Sequence, residues 1–344
     1  MPKFKGGSDD WLDDEDKSTS KATPRKKKIA TKAKPLDPSE ANATVAEVFP
    51  NQCRVILDQA PASGKTNLLC RYRRSTVIGQ KGEQEVRERA PVAVGDRVLV
   101  KLDIVEAICE RSSRLARPAP DRGESQIHVI VANVEKLVIV TSALNPGFIP
   151  GLVDRFLIAA AAENITPIIC INKIDLADET ISHAWDLYRR IGYDVLEVSA
   201  KQAVGVEELR ARIEGARVVF CGHSGVGKTS LLRTLLSKDI GRIGDVSEAT
   251  GKGKHTTTSA VLLQGSSGNY ASSWWIDTPG IKEFGLYGIP PEEIKSYFRE
   301  FEAKANECQL GQDCLHIDEA GCSVREASFD RYSSYCRIYK SLLE

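Results

Sequence analysis

The chain has 344 residues, room for two or three domains, and 47 basic residues balance 47 acidic ones, so net charge does not mark it for nucleic acid and any basic surface must be local. No apolar run approaches the roughly 18 residues of a membrane span, and Lys3 and Lys5 are followed by no apolar secretory core. Nine scattered cysteines suit reduced thiols rather than a disulfide framework, so a cytoplasmic protein with no membrane partner is expected.

In chain order, residues 1–40 come first: an acidic stretch from Asp9 to Asp16, then the basic run Arg25-Lys26-Lys27-Lys28, with few apolar residues. A segment with nothing to bury is expected to be a disordered charged tail. From Ala41 to Pro118 the pattern turns to short β-rich runs: Thr44–Phe49, Cys53–Leu57, Asn67–Tyr72, Arg97–Val100 and Asp103–Ile108. Five strands in about 75 residues predict a small β-barrel over 41–118. Arg71, Tyr72, Arg73 and Arg74 mix cations with an aromatic ring, which fits either a nucleic-acid face or an ordinary exposed strand edge. Gly64-Lys65-Thr66 imitates the end of a phosphate loop, but Gln59 stands where the first glycine is needed, so a hairpin turn is expected.

Residues 119–287 alternate strands with helices, which predicts a mainly parallel α/β sheet with ligand loops at the strands' carboxyl ends. Leu137–Thr141 opens it, 151–163 has helical spacing, and the apolar run Pro167–Ile171 ends in Asn172-Lys173-Ile174-Asp175. A further strand, Val195–Val198, ends in Ser199-Ala200-Lys201. The strand Arg217–Cys221 then runs into Gly222-His223-Ser224-Gly225-Val226-Gly227-Lys228-Thr229 and a helix beginning at Ser230, the strand–loop–helix context of a G-x-x-x-x-G-K-[ST] phosphate loop. Glycines let backbone N–H groups face phosphate oxygens, Lys228 neutralises the outer phosphates, and the Thr229 hydroxyl can ligate magnesium.

The Asn172–Asp175 run resembles the guanine-recognition motif of GTPases, and Ser199-Ala200-Lys201 resembles the loop whose N–H meets the guanine carbonyl. By that resemblance the Asp175 carboxylate accepts two hydrogen bonds adenine cannot offer, a discrimination worth about 10⁴-fold. Lys173 covers the base, and the Asn172 amide holds the loop. A polar strand-to-helix turn is the bland alternative; three motifs at strand ends serving one ligand outweigh it. Ser273–Ile276 leads to Asp277-Thr278-Pro279-Gly280, a D-x-x-G motif in which Asp277 holds magnesium through water and the Gly280 N–H meets the γ-phosphate. Between the loops lies Gly251-Lys252-Gly253-Lys254-His255-Thr256-Thr257-Thr258, from which a threonine, Thr256 or a neighbour, is expected to close over magnesium and γ-phosphate. Ile281 stands where many GTPases carry a water-orienting glutamine, so slow unaided hydrolysis is expected, with His255, Lys228 and Thr256 as catalytic candidates.

After Pro290-Pro291, residues 292–305 read as a helix, followed by Cys308, Cys314, His316 and Cys322. Three thiols and one imidazole fit a closed tetrahedral zinc site, and a tail of under about 60 residues is too small to rely on its own core. Cys336 is expected in the core.

Base recognition here precedes the phosphate loop, the reverse of the usual order, which marks a circular permutation. Permutation, the G-x-G-x-H-T-T-T segment and the cysteine/histidine tail together resemble the RsgA (YjeQ) family of bacterial ribosome-biogenesis GTPases, from about Ala41 onward. The resemblance implies an OB-fold RNA-binding domain (41–118), a permuted GTPase domain (119–287) and a small α-helical zinc-binding domain (288–344). It further implies GTP and GDP as substrate and product, Mg2+, one structural Zn2+, and the small ribosomal subunit with its rRNA as partner. Hydrolysis is expected to be stimulated by that subunit and to time its late maturation. No dimer seam is evident, so a monomer is expected.

Overall fold

In the computed structural model, the described residues are 36–60, 64, 66–72, 87–88, 92–118, 126–178, 183–236, 260–264, 273–278, 286 and 288–343. Leu36–Glu40, assigned by composition to the tail, is structured: Pro38–Glu40 is a short 3-10 turn capped by Asp37, whose carboxylate accepts the Ser39 N–H at 2.9 Å, and Leu36 bridges Cys109. Proline at the first helical position and aspartate before it explain the turn despite the flanking charge.

The barrel consists of β1 (Ala43–Phe49), β2 (Gln52–Leu57), β3 (Asn67–Tyr72), β4 (Arg97–Lys101) and β5 (Ile104–Ile108). Their order, β1-β2-β3-β5-β4 with β4 closing back on β1 and a parallel β3–β5 pair, is the five-stranded OB arrangement. Alternating residues supply the interior: Val45, Cys53, Val55, Cys70, Val98 and Val105 are all buried. Gly64 lies in the β2–β3 connection with φ 72°, where the Leu57 N–H meets the Thr66 carbonyl at 2.9 Å.

The hairpin of β6 (Arg114–Pro118) and β7 (Gln126–Ala132) follows, so a boundary drawn after residue 118 would part its two strands. Then come β8 (Lys136–Ser142), β9 (Thr166–Asn172), β10 (Asp194–Glu197), β11 (Arg217–Cys221), β12 (Val261–Gln264) and β13 (Trp274–Asp277). The order β10-β9-β8-β11-β13 is parallel throughout, with β12 antiparallel at its edge. Helices α1 (Pro150–Ala162), α2 (Val206–Ile213) and α3 (Lys228–Leu236) cover it. Both sheet faces are covered, so β8 and β11 read as nearly unbroken apolar runs. β12 also pairs with β1 through Glu47 and Val261, and a bulge in β1 between Val45 and Glu47 bends that strand from the barrel toward the GTPase sheet.

In the C-terminal module the expected helix over 292–305 is wound differently. Pro291–Tyr297 and Arg299–Phe301 are 3-10 turns, Phe298 leaves helical geometry (ψ 89°), and only Glu302–Ala305 is α-helical. The break at Phe298 accompanies the burial of both Phe298 and Phe301, whose rings stack at 5.1 Å. The final helix α4 (Tyr332–Leu343) packs on α1. Where the module meets α1, the Arg331 guanidinium donates to Asp154 Oδ1 at 2.8 Å and to both Glu300 oxygens at 3.1 and 2.9 Å, while lying 4.6 Å over the Phe298 ring. Among the described residues, no helix is long and apolar enough to cross a membrane.

Candidate nucleotide site and metal centre

The carboxyl ends of β8, β9, β11 and β13 converge on the phosphate loop. Gly225 and Gly227 have φ of 86° and 88°, a region that side-chain-bearing residues avoid, and a Cβ on Gly227 would collide with the Asn172 amide. That close approach lets Asn172 tie three distant segments: its Nδ2 donates to Val226 O at 2.9 Å, and its Oδ1 accepts the Ala200 N–H at 3.1 Å. Beside it, Asp175 Oδ1 accepts the Ser199 hydroxyl at 2.6 Å, and Ser199 Oγ in turn accepts the Gln202 N–H at 3.1 Å. Lys173, in left-handed backbone with φ 61°, donates its ammonium to the carbonyls of Gly225, at 2.7 Å, and Asn145. Ile174 begins a short 3-10 turn, and Lys201 is exposed beyond Ala200.

On the phosphate side, Gly222 follows β11, His223 Nδ1 contacts Ser224 O at 2.8 Å, and Lys228 opens α3 with Thr229 and Ser230 exposed on its first turn. The buried Lys228 ammonium donates to the Thr278 carbonyl and stands 3.5 Å from Asp277 Oδ1. Among the described residues that oxygen is buried and accepts no hydrogen bond, and burial pushes the Asp277 carboxyl up against the pull of Lys228. A buried carboxylate oxygen with no hydrogen bond among the described residues, together with the hydroxyl that Thr229 exposes on the first turn of α3, offers the hard oxygen donors a divalent cation takes, so the residues fit magnesium. Thr278 anchors its own loop, its hydroxyl donating to Phe220 O at 2.7 Å. His255, Thr256 to Thr258, Gly280 and Ile281 lie outside the described residues.

Around α4, the ligand atoms of Cys308, Cys314, His316 and Cys322 lie within 4.8 Å of one another, all buried. Sulfur to His316 Nδ1 is 3.5 Å from Cys308 and 3.4 Å from Cys322, and those two sulfurs are 4.0 Å apart. Zinc bonds of about 2.3 Å to sulfur and about 2.05 Å to nitrogen, at tetrahedral angles, give roughly 3.8 and 3.6 Å for these edges, so the donor set fits zinc. Backbone N–H groups of Val324 and Ser323 lower the Cys308 thiol despite its burial, while burial pushes Cys314 up and His316 down, keeping the imidazole neutral for ligation. Side chains around the cluster also hold the backbone between its residues. Tyr332 donates to His316 O at 2.9 Å, Tyr335 to Leu315 O, and Glu319 accepts the Leu315 and Ile317 N–H groups at 2.7 Å each. Cys336 packs against the core outside the cluster.

Comparison with known proteins agrees with this arrangement. The RsgA GTPase family model matches residues 108–287. A small ribosomal subunit biogenesis GTPase RsgA from Shewanella oneidensis is 38% identical over 274 residues, covering 74% of this chain and 75% of the relative. The one from Chlorobaculum tepidum is also 38% identical, covering 78% and 90%. The chain belongs to the RsgA GTPase family. The crystal structure of YjeQ from Thermotoga maritima superposes with a TM-score of 0.63 at 28% identity, covering 88% of this chain and 98% of that one. The circularly permuted GTPase YloQ gives a TM-score of 0.60 at 26% identity, covering 88% and 95%. As an RsgA-family member, the chain is a circularly permuted GTP hydrolase that uses GTP, GDP and magnesium.

Motif reading missed two groups of this RsgA-family site. One is the Asn145 carbonyl on Lys173, signalled only by the turn sequence Asn145-Pro146-Gly147 after a strand. The other is Thr278, whose carbonyl and hydroxyl join Lys228 to β11.

Proposed function

We propose that this protein is a GTPase of small ribosomal subunit assembly whose hydrolysis is stimulated by that subunit and times its late maturation. Carrying the reading is the Asn172 amide, which joins base-reading and phosphate-holding segments in permuted order at one point. The relatives' names supply the ribosomal context.

In this reading the Asp175 carboxylate, set by Ser199, accepts guanine's ring N–H and amine, and the Ala200–Lys201 backbone meets its carbonyl. Lys173 covers the base. Backbone N–H groups from Gly222 to Gly227 surround the phosphates, and Lys228 releases Thr278 O to neutralise them. Magnesium, when bound between Thr229 and Asp277, supplies Lewis-acid neutralisation of the β- and γ-phosphate oxygens. His255 and Thr256 act on the γ-phosphate side. Ile281 neither donates nor accepts a hydrogen bond, so attacking water is oriented only when a partner completes the site, a gain on the order of 10³–10⁵.

The barrel contacts rRNA, the cluster holds one structural zinc, and the protein acts as a cytoplasmic monomer. Two structural links support nucleotide-dependent affinity for the partner. Val261 pairs with Asp277 on one side and Glu47 of the barrel on the other, and Arg331 joins the zinc module to α1. GTP turnover measured alone, with purified small subunits, and with unrelated RNA tests the reading. Large stimulation by subunits alone is expected; equal stimulation by any RNA, or none, would reject it. Equal affinity for the subunit with GDP and with a GTP analogue would reject the coupling.

A further inference from the structure

Residues 143–149 join β8 to α1 and belong to none of the nucleotide motifs. Yet the segment is tied to two of them. The Ala143 N–H donates to Asn172 O at 2.9 Å, and the Lys173 ammonium reaches the Asn145 carbonyl. Pro146 Cδ lies 3.4 Å from where a Cβ on Gly225 would sit, so the segment runs beside the phosphate loop. Pro146 and Gly147 also share a small cavity wall with His223 and Val226. Internally the segment is closed by Ser142, whose hydroxyl donates to Pro146 O at 2.5 Å, and Asn145 holds φ 51°. That left-handed conformation, tolerated by asparagine and free for glycine, sets the direction of the peptide around Asn145.

We propose that Asn145 is a positioning residue for guanine-nucleotide binding, acting through Lys173. A lysine ammonium has three donors on a long flexible stem. With Gly225 O as its only acceptor the stem keeps rotational freedom; a second carbonyl, from a different segment, fixes it. The aliphatic part of Lys173 is thereby held as a preformed lid over the base. The inference rests on the guanine-site reading above and adds an element to it: affinity for the base depends on the β8–α1 loop as well as on the recognised motifs.

The test is calorimetry of GDP and GTP on the full-length chain with four variants: Asn145→Val, Asn145→Gly, Lys173→Met and the Asn145→Val/Lys173→Met double. A β-branched residue resists the left-handed region, so Asn145→Val should raise both dissociation constants roughly tenfold, the scale of one hydrogen bond to a charged group, with the GTP-to-GDP ratio unchanged. Asn145→Gly should bind as wild type. The double variant should be no weaker than Lys173→Met, because the proposal has Asn145 act on the nucleotide through the ammonium. Wild-type affinity in Asn145→Val with Lys173→Met impaired would overturn the proposal alone, as would multiplicative losses in the double or an equal loss in Asn145→Gly. Wild-type affinity in both Asn145→Val and Lys173→Met would overturn the proposal by removing Lys173 from base binding, whereas a wild-type chain that binds neither GDP nor GTP would overturn the guanine-site reading itself. Should Asn145→Val melt below the assay temperature, Ser142→Ala replaces it: an approximately threefold loss supports the proposal and unchanged affinity overturns it.

Discussion

The chain builds two sites for charged ligands, and they are organised in opposite ways. The candidate nucleotide site draws Asn172, Ser199, Gly222 to Lys228 and Asp277 from four separate strand ends, and among the described residues it leaves Asp277 Oδ1 buried with no hydrogen bond and the Lys228 ammonium 3.5 Å away. In the C-terminal cluster all four ligands come from residues 308–322, and tyrosines and Glu319 satisfy the surrounding backbone. A ligand that must leave needs polar groups held apart by something that does not depend on it, here the parallel sheet. A ligand that stays can replace the core itself. By this argument the first site should survive the loss of its ligand and the second should not.

Metal removal is the strongest way to break that contrast. Structural zinc contributes on the order of 10–16 kcal/mol to folding such a unit. Chelation, or Cys314→Ser, should therefore unfold residues 288–343, seen as lost hydrogen-exchange protection in α4, while GDP still binds the core. Protection that persists after complete chelation would reject the zinc assignment.

Next comes Asp175→Asn. An amide presents a donor where guanine's N–H groups need an acceptor, so GTP affinity should fall by roughly 10³–10⁴. The variant should gain relative affinity for xanthosine nucleotides, whose carbonyl can accept that donor. Unchanged GTP affinity by calorimetry would show that Asp175 does not read the base.

Arg331→Met tests the joint between the two regions. It strands Asp154 and Glu300 in the interior, and breaking a buried pair this way costs about 3–5 kcal/mol, visible as a lower melting temperature. A loss under about 1 kcal/mol would mean that water reaches the joint.

This ion pair also marks the limit of what the sequence discloses. All five barrel strands are legible because alternation and turns are local signals, and the nucleotide loops are legible because glycines, Lys228 and Asp277 must follow strands directly. Arg331 and Asp154 are 177 residues apart, and neither has a neighbour that announces the other. The 3-10 turns Pro291–Tyr297 and Arg299–Phe301 were hidden for a different reason, since apolar residues at 294, 298 and 301 fit an α-helix equally well and no glycine or proline marks the break at Phe298. The bridge from Glu47 to Val261 is likewise a long-range match between two edges. The Asn145 loop falls between these cases, a turn signal whose partner, Lys173, is visible only in three dimensions.

The smallest effect expected is on stability, in Asp277→Asn. Burial outweighs Lys228 at this carboxyl and raises it, so the folded state binds its proton more tightly than the unfolded state. Stability from this group is therefore lost as pH rises, because the unfolded chain gives up the proton first and the buried anion is the costly form. Replacing it with a neutral amide removes that penalty but also removes the partner 3.5 Å from the Lys228 ammonium, which keeps its bond to Thr278 O. Because the carboxyl is raised, desolvation is the larger of the two effects, so nucleotide-free Asp277→Asn should melt at or about 1–2 °C above wild type at neutral pH and lose the pH dependence contributed by this group. Magnesium-dependent GTP hydrolysis should be abolished in the same variant. A fall of several degrees would mean that Asp277 chiefly stabilises the empty site through Lys228, and would remove the argument that its buried oxygen is kept for the cation.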